Sequence, residues 1–316
     1  MPVCKALSSS VAIGPLGTVR PCCAWDNNAG KESLLGEDFK TKHAIWSSGM
    51  LGSNWLPECQ ECQQAELRDG NSLRTYFNEI LTGEGIEYWD FKINNTCNLA
   101  CRMCDPVNSS TWVAVQKQID PNYQQKTQRW HKDIDKILPE LYTARVVKFT
   151  GGEPFLIPQV KRIVEFLVDE EIAPSVVLQF ITNGTQDISS WYGLFEEFRY
   201  VTVMVSVDAV GDRFEYIRQG AKWNQVSENV ININNSKPNN TSLNVTCLPQ
   251  ALNENHTHEV EQWCKDNNLR FNLASDLINP DYMRPGALND PELKDKLMRK
   301  LEILDMIHGT DYREFI

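Results

Sequence analysis

Ile93-Asn94-Asn95-Thr96-Cys97-Asn98-Leu99-Ala100-Cys101-Arg102-Met103-Cys104-Asp105-Pro106 puts three cysteines on one short segment with the spacing C-x3-C-x2-C. Three thiolates so spaced can ligate three irons of a 4Fe–4S cube, whereas a cube held wholly by protein uses four. The missing fourth ligand leaves one iron open to a substrate or cofactor. A structural zinc site is the competing reading, but zinc wants four tetrahedral ligands. No His or further Cys lies nearby in the sequence to complete one.

The segment follows a predicted strand, Tyr88–Ile93. Further strands are predicted at Val146–Thr150, Val176–Thr182, Val201–Val207, Ser242–Leu248 and Arg270–Leu273. Amphipathic stretches such as Val160–Glu171 and Ile188–Phe198 lie between them, and a last helix is predicted over Pro291–His308. Strand–helix alternation implies a parallel sheet, because parallel strands need a crossover. Six such strands predict an α/β fold, an open partial (β/α)6 TIM-like barrel spanning residues 86–316. Active sites in such folds gather at the C-terminal ends of the strands. Ile231–Asn240 is polar and contains Pro238, and reads as a surface loop.

The second strand ends in Lys148-Phe149-Thr150-Gly151-Gly152-Glu153-Pro154. The Cys97–Cys104 segment after one strand, with Gly-Gly-Glu-Pro after the next, resembles the radical S-adenosylmethionine (SAM) superfamily. The resemblance implies that SAM chelates the open iron held by Cys97, Cys101 and Cys104. It also implies that reductive cleavage of SAM releases a 5′-deoxyadenosyl radical, which abstracts a hydrogen atom from the substrate. A reducing partner such as a flavodoxin or ferredoxin is implied as well. Gly151, Gly152, Glu153 and Pro154 match the segment that binds the SAM amino group. Met103 stands where the family often has an aromatic residue beside adenine. Asn183, Ser206 and Asp208, at strand ends, are further expected SAM contacts, and the Arg218 fork suits the SAM carboxylate. For each of these the plainer reading is a cap, a turn residue or an ion pair.

Residues 1–85 form a predicted small Cys-rich unit with a β-hairpin over Val11–Cys23, a short helix over Lys42–Met50 and a helix over Asn71–Leu81. Cys4, Cys22, Cys59 and Cys62 supply four ligands, enough for a complete cluster or a structural zinc, and spacing alone does not separate the two. The pattern resembles the SPASM/twitch extensions of radical SAM enzymes, which hold auxiliary 4Fe–4S clusters. That resemblance implies a second cluster, placed here before the barrel instead of after it. Cys23 is the spare beside Cys22, since neighbours on a strand point to opposite sides. Cys247 and Cys264 are expected to be small buried hydrophobes.

The 316 residues carry a net charge of −11, which argues against a nucleic-acid polymer as partner. No apolar run approaches the ~20 residues of a membrane span, and the N-terminus is not a secretory signal, so a cytoplasmic location is expected. The SPASM/twitch-like cysteines favour a peptide or protein side chain as substrate. A nucleotide, sugar or amino acid is the alternative, and a non-enzymatic zinc-stabilised binding module is a third reading.

Overall fold

The computed structural model describes residues 3–25, 33–34, 45–46, 48, 55–125, 134–275, 277 and 279–316. The strands are β1 (Ser10–Ile13), β2 (Thr18–Arg20), β3 (Ser33–Leu34), β4 (Tyr88–Phe91), β5 (Val146–Phe149), β6 (Val177–Thr182), β7 (Tyr200–Ser206), β8 (Thr241–Cys247) and β9 (Arg270–Leu273). The helices are α1 (Ala6–Ser9), α2 (Gln60–Asp69), α3 (Leu73–Ile80), α4 (Ser110–Ile119), α5 (Pro158–Asp169), α6 (Tyr192–Glu196), α7 (Gly211–Ile217), α8 (Trp223–Ser236), α9 (Thr257–Asp266) and α10 (Pro291–His308).

From β4 to β9 each strand pairs in parallel with the next in chain order, which is the expected partial (β/α)6 barrel. The sheet does not stop there. β1 pairs in parallel with β4, Ser10 opposite Tyr88 and Ile13 opposite Phe91, and β2 and β3 add antiparallel strands beyond it. The N-terminal hairpin therefore extends the same sheet across residue 85.

The two faces of the sheet differ. Phe91, Phe149 and Phe180 are register neighbours on β4, β5 and β6, fully buried, with ring centroids 5.7 and 5.4 Å apart. They join the main core with Val160, Ile163, Val164 and Leu167 of α5, whose 3- and 4-residue spacing makes one apolar stripe. The alternate residues are half-buried along β6 and β7 and form the inner face of the barrel, the lumen. At one level of that lumen stand Asp90, Lys148, Gln179 and Thr202, all in register.

Ile231–Asn240 is helical as far as Ser236, not a loop. Val226, Val230 and Ile233 form a buried stripe that continues α8, and the asparagines lie between its positions. The expected helix over Lys42–Met50 lies largely outside the described residues, with Ile45, Trp46 and Ser48 helical. The helix expected near Asn71 runs over α3, where Ser72 accepts from the Thr75 amide in a capping box.

Candidate active site

The three-Cys loop leaves β4 at the C-terminal end of the barrel and is fixed mainly through its backbone. Ser110 Oγ and Thr111 Oγ1 donate to the Cys97 carbonyl, at 3.1 and 2.7 Å, and Trp112 Nε1 donates to that of Cys101 at 2.7 Å. The Ala100 and Arg102 amides donate to the Gln219 and Ile217 carbonyls at the end of α7. The loop is thus laced to α4 on one side and to the end of α7 on the other. Cys101 is buried while Cys97 and Cys104 are half-buried. Burial raises the Cys97 and Cys104 thiols and pushes Cys101 up to about 11, although the neighbouring Arg218 charge opposes that rise. Without a cation such thiols stay protonated; a bound metal ionises them.

Gly151 and Gly152 follow β5 at φ +70° and +59°. Gly152 presses on the cluster loop: a Cβ there would lie 2.5 Å from the Thr96 carbonyl oxygen and 3.0 Å from that of Asn94. The Gly152 amide donates to Asn108 O, and the Glu153 amide to Thr96 O at 2.7 Å. Glu153 itself is fully buried. Its carboxyl accepts from Thr182 Oγ1 at 2.7 Å and the Asn183 amide at 2.8 Å, and burial raises it to about 7. The segment therefore locks the end of β6 to the cluster loop. Pro154 opens a short 3-10 turn over Pro154–Leu156.

The other expected residues stand at the same rim. Asn183 donates Nδ2 to Asn98 Oδ1 at 2.9 Å and lies 3.9 Å from Cys97 Sγ. Met103 is half-buried against the core. Ser206 ends β7 on the lumen side, opposite Thr246. Asp208 is fully buried and pairs with Arg218 Nη2 at 2.8 Å. Arg218 keeps a buried Nε with no hydrogen-bond partner among the described residues.

Cys4, Cys22, Cys59 and Cys62 line one cavity with Trp55 and Phe77. Each of Cys4, Cys22 and Cys59 feels at least one other thiol of the set, and burial raises all three, Cys59 to about 12. Cys23 belongs elsewhere: it is exposed, and its charged neighbours are Lys148, Asp90 and Lys92. Cys247 and Cys264 are fully buried. Among the described residues no three His, Cys, Asp or Glu side chains gather tightly enough for a single metal ion. A cube needs no such gathering, since each thiolate binds its own iron.

Sequence reasoning missed the groups that hold these. Arg102, inside the motif, is 1 % exposed, pairs with Asp305 at 2.9 Å and lies 4.3 Å over the Tyr216 ring. It anchors the loop to α10. Asp90 and Lys148 pair at 3.3 Å in the lumen, with Thr150 Oγ1 donating to Asp90. Their signal was a charged residue inside each of two apolar strands.

A family model described as the radical SAM superfamily matches residues 91–263, more than half of the chain. Among solved structures the chain is similar to Streptococcus suis SuiB bound to S-adenosylmethionine, with 16% identity and a TM-score of 0.46 over 85% of this chain and 58% of that one. SuiB bound to the precursor peptide SuiA gives 14% identity and a TM-score of 0.44, over 84% of this chain and 57% of that one. Native anSMEcpe with bound AdoMet gives 17% and 0.48, over 70% and 61%. The chain thus spans less than two thirds of the length of these structures. No curated protein matches it. Among the described residues no helix is long and apolar enough to cross a membrane. Fold, Cys loop, Gly-Gly-Glu-Pro segment and family match agree, and the chain belongs to the radical SAM superfamily.

Proposed function

We infer that this chain holds the 4Fe–4S cluster and SAM that its family implies, which when bound would supply a 5′-deoxyadenosyl radical by reductive cleavage. The protein's part is to hold both at the barrel rim and to exclude water around them. We propose that this enzyme abstracts a hydrogen atom from a peptide or protein side chain. Cys97, Cys101 and Cys104 hold the cluster that binds SAM. Gly151, Gly152, Glu153, Pro154, Met103, Asn183, Ser206, Asp208 and Arg218 form the SAM site, with the unpartnered Arg218 Nε facing the SAM carboxylate. Cys4, Cys22, Cys59 and Cys62 hold an auxiliary 4Fe–4S cluster.

The adjacent pair Cys22 and Cys23 carries this reading. Cys22 lines the four-thiol cavity, while Cys23 faces the lumen charges. On this reading one peptide unit would separate the auxiliary cluster from the substrate, close enough for the cluster to accept an electron from it. The lumen is also open at the side: among the described residues β9 pairs only with β8. That opening suits an extended chain more than an enclosed small molecule.

Anaerobic reconstitution should give about eight irons per chain, two cubes' worth, and SAM should be cleaved to 5′-deoxyadenosine. Zinc with about four irons would remove the auxiliary cluster. A pool of synthetic peptides should accelerate SAM cleavage. Acceleration by a pool of nucleotides, sugars and amino acids, with none by peptides, would overturn the substrate class.

A further inference from the structure

A second cavity, of about 590 Å3, lies at the end of the barrel opposite the rim. That size suits one or two residues of a bound ligand. Its walls are the N-terminal ends of β5, β6 and β7 and the side of α3. Val146, Val177 and Tyr200 are register neighbours, so the cavity underlies one row across three adjacent strands. Gln179, a lumen-face residue in register with Lys148, also lines it. Tyr76 of α3 acts electrostatically on both Tyr88 and Lys148, which places the cavity next to the Asp90–Lys148 pair.

Arg145 and Arg199 are the informative residues. Both line the cavity. Neither guanidinium has a hydrogen-bond or ion-pair partner among the described residues; Arg145 is half-buried and Arg199 exposed. Glu79 is the single acidic group in the lining. In a chain of net charge −11, two unmatched guanidinium groups at one cavity mark a place built for an anion. Tyr76 and Tyr200, 38% and 40% exposed, line the same cavity and offer aromatic surface that would cover an aliphatic stem.

We propose that this cavity binds a carboxylate-bearing residue of the substrate, with Arg145 and Arg199 holding the carboxylate between the Tyr76 and Tyr200 rings. The inference rests on the peptide reading above and narrows it to acidic peptides. An Asp or Glu anchored at the base would leave the neighbouring residues to rise through the lumen, past Cys23, toward the rim.

The test uses reconstituted full-length enzyme and three hexapeptides carrying a neutral fluorophore, read by anisotropy. One contains two Glu, one has Gln in their place, and one has phosphoserine in their place. The Glu peptide should bind about tenfold more tightly than the Gln peptide, as expected for a charge-assisted arginine contact. In Arg145→Gln/Arg199→Gln that preference should vanish, with iron content and melting temperature showing that the variant is folded. Equal binding of Glu and Gln peptides, or a preference that survives in the double variant, overturns the site. Phosphoserine binding far tighter than Glu overturns the carboxylate in favour of phosphate. Peptide-stimulated SAM cleavage by the parent enzyme is measured in parallel. If stimulation occurs without a Glu preference, this site fails alone; if no peptide stimulates, the substrate class fails.

Discussion

Replacing Gly152 by Ala should damage the radical-generating site more than any other single methyl group added to it. The added Cβ forces a left-handed backbone on an L-residue, φ +59°, at a cost of about 1 kcal/mol. It also meets the Thr96 carbonyl oxygen at 2.5 Å, so the two must part by about half an ångström to reach even a tight 3.0 Å contact. Both partners are backbone, so neither can swing aside. The parting strains two hydrogen bonds, Gly152 N to Asn108 O and Glu153 N to Thr96 O, each contributing about 1 kcal/mol. The sum is about 3 kcal/mol, concentrated on the residue before Cys97. A displacement of that order at a reacting centre costs about 10²-fold in rate. The assay is 5′-deoxyadenosine formation per bound iron after anaerobic reconstitution, with Gly193→Ala as control. Gly193 lies in α6 with open space around its Cβ position, and Ala there should be neutral or stabilising. A Gly152→Ala enzyme that keeps its iron and works within twofold of the parent would refute the reasoning.

Three further outcomes are expected. Cys22→Ala should lose about four irons per chain while Cys23→Ala keeps all of them, as Cys22 lines the four-thiol cavity and Cys23 is not in its lining; equal losses would place Cys23 among the ligands. Arg102→Met should lower unfolding free energy in urea by about 3 kcal/mol by leaving the buried Asp305 carboxylate without its cation, though still hydrogen-bonded to Thr310 and Tyr312, and Arg102→Met/Asp305→Leu should recover part of it; a loss below about 1 kcal/mol, the range of an exposed pair, would contradict a buried one. Glu153, with its carboxyl raised from 4.5 to about 7, takes up a proton on folding between those values. Its contribution is therefore full below about pH 4.5, declines as pH rises to about 7 and is level above. Urea midpoints at pH 5 and pH 8 should differ less in Glu153→Gln than in the parent, and identical differences would show that Glu153 does not set the slope.

The family was legible because the motifs that carry it are local. Cys97, Cys101 and Cys104 fall within eight positions, and Gly-Gly-Glu-Pro marks the end of the next strand. The strands were legible because their alternate residues differ so sharply in burial along β6 and β7. What escaped depends on distant partners. Nothing in Val11–Ile13 shows that it pairs with Trp89–Phe91, some 78 positions on. Arg102 looks like a surface residue until Asp305 and Tyr216 are brought to it. Arg218 was expected to face SAM, and its partnership with Asp208 appears only once β7 and α7 are placed. The asparagines of α8 suggested a loop because composition outweighed the spacing of Val226, Val230 and Ile233.

The parallel pairing of β1 with β4 gives the Cys-rich unit a mechanical duty. It is the stave that finishes one side of the barrel. Cutting the chain after residue 85 would bare the whole hydrogen-bonding edge of β4, directly under the loop that carries Cys97. A bare edge invites pairing with another chain. The unit is therefore no detachable cassette: a descendant that dispensed with its thiols would still have to keep the hairpin, or recruit another strand to cover that edge.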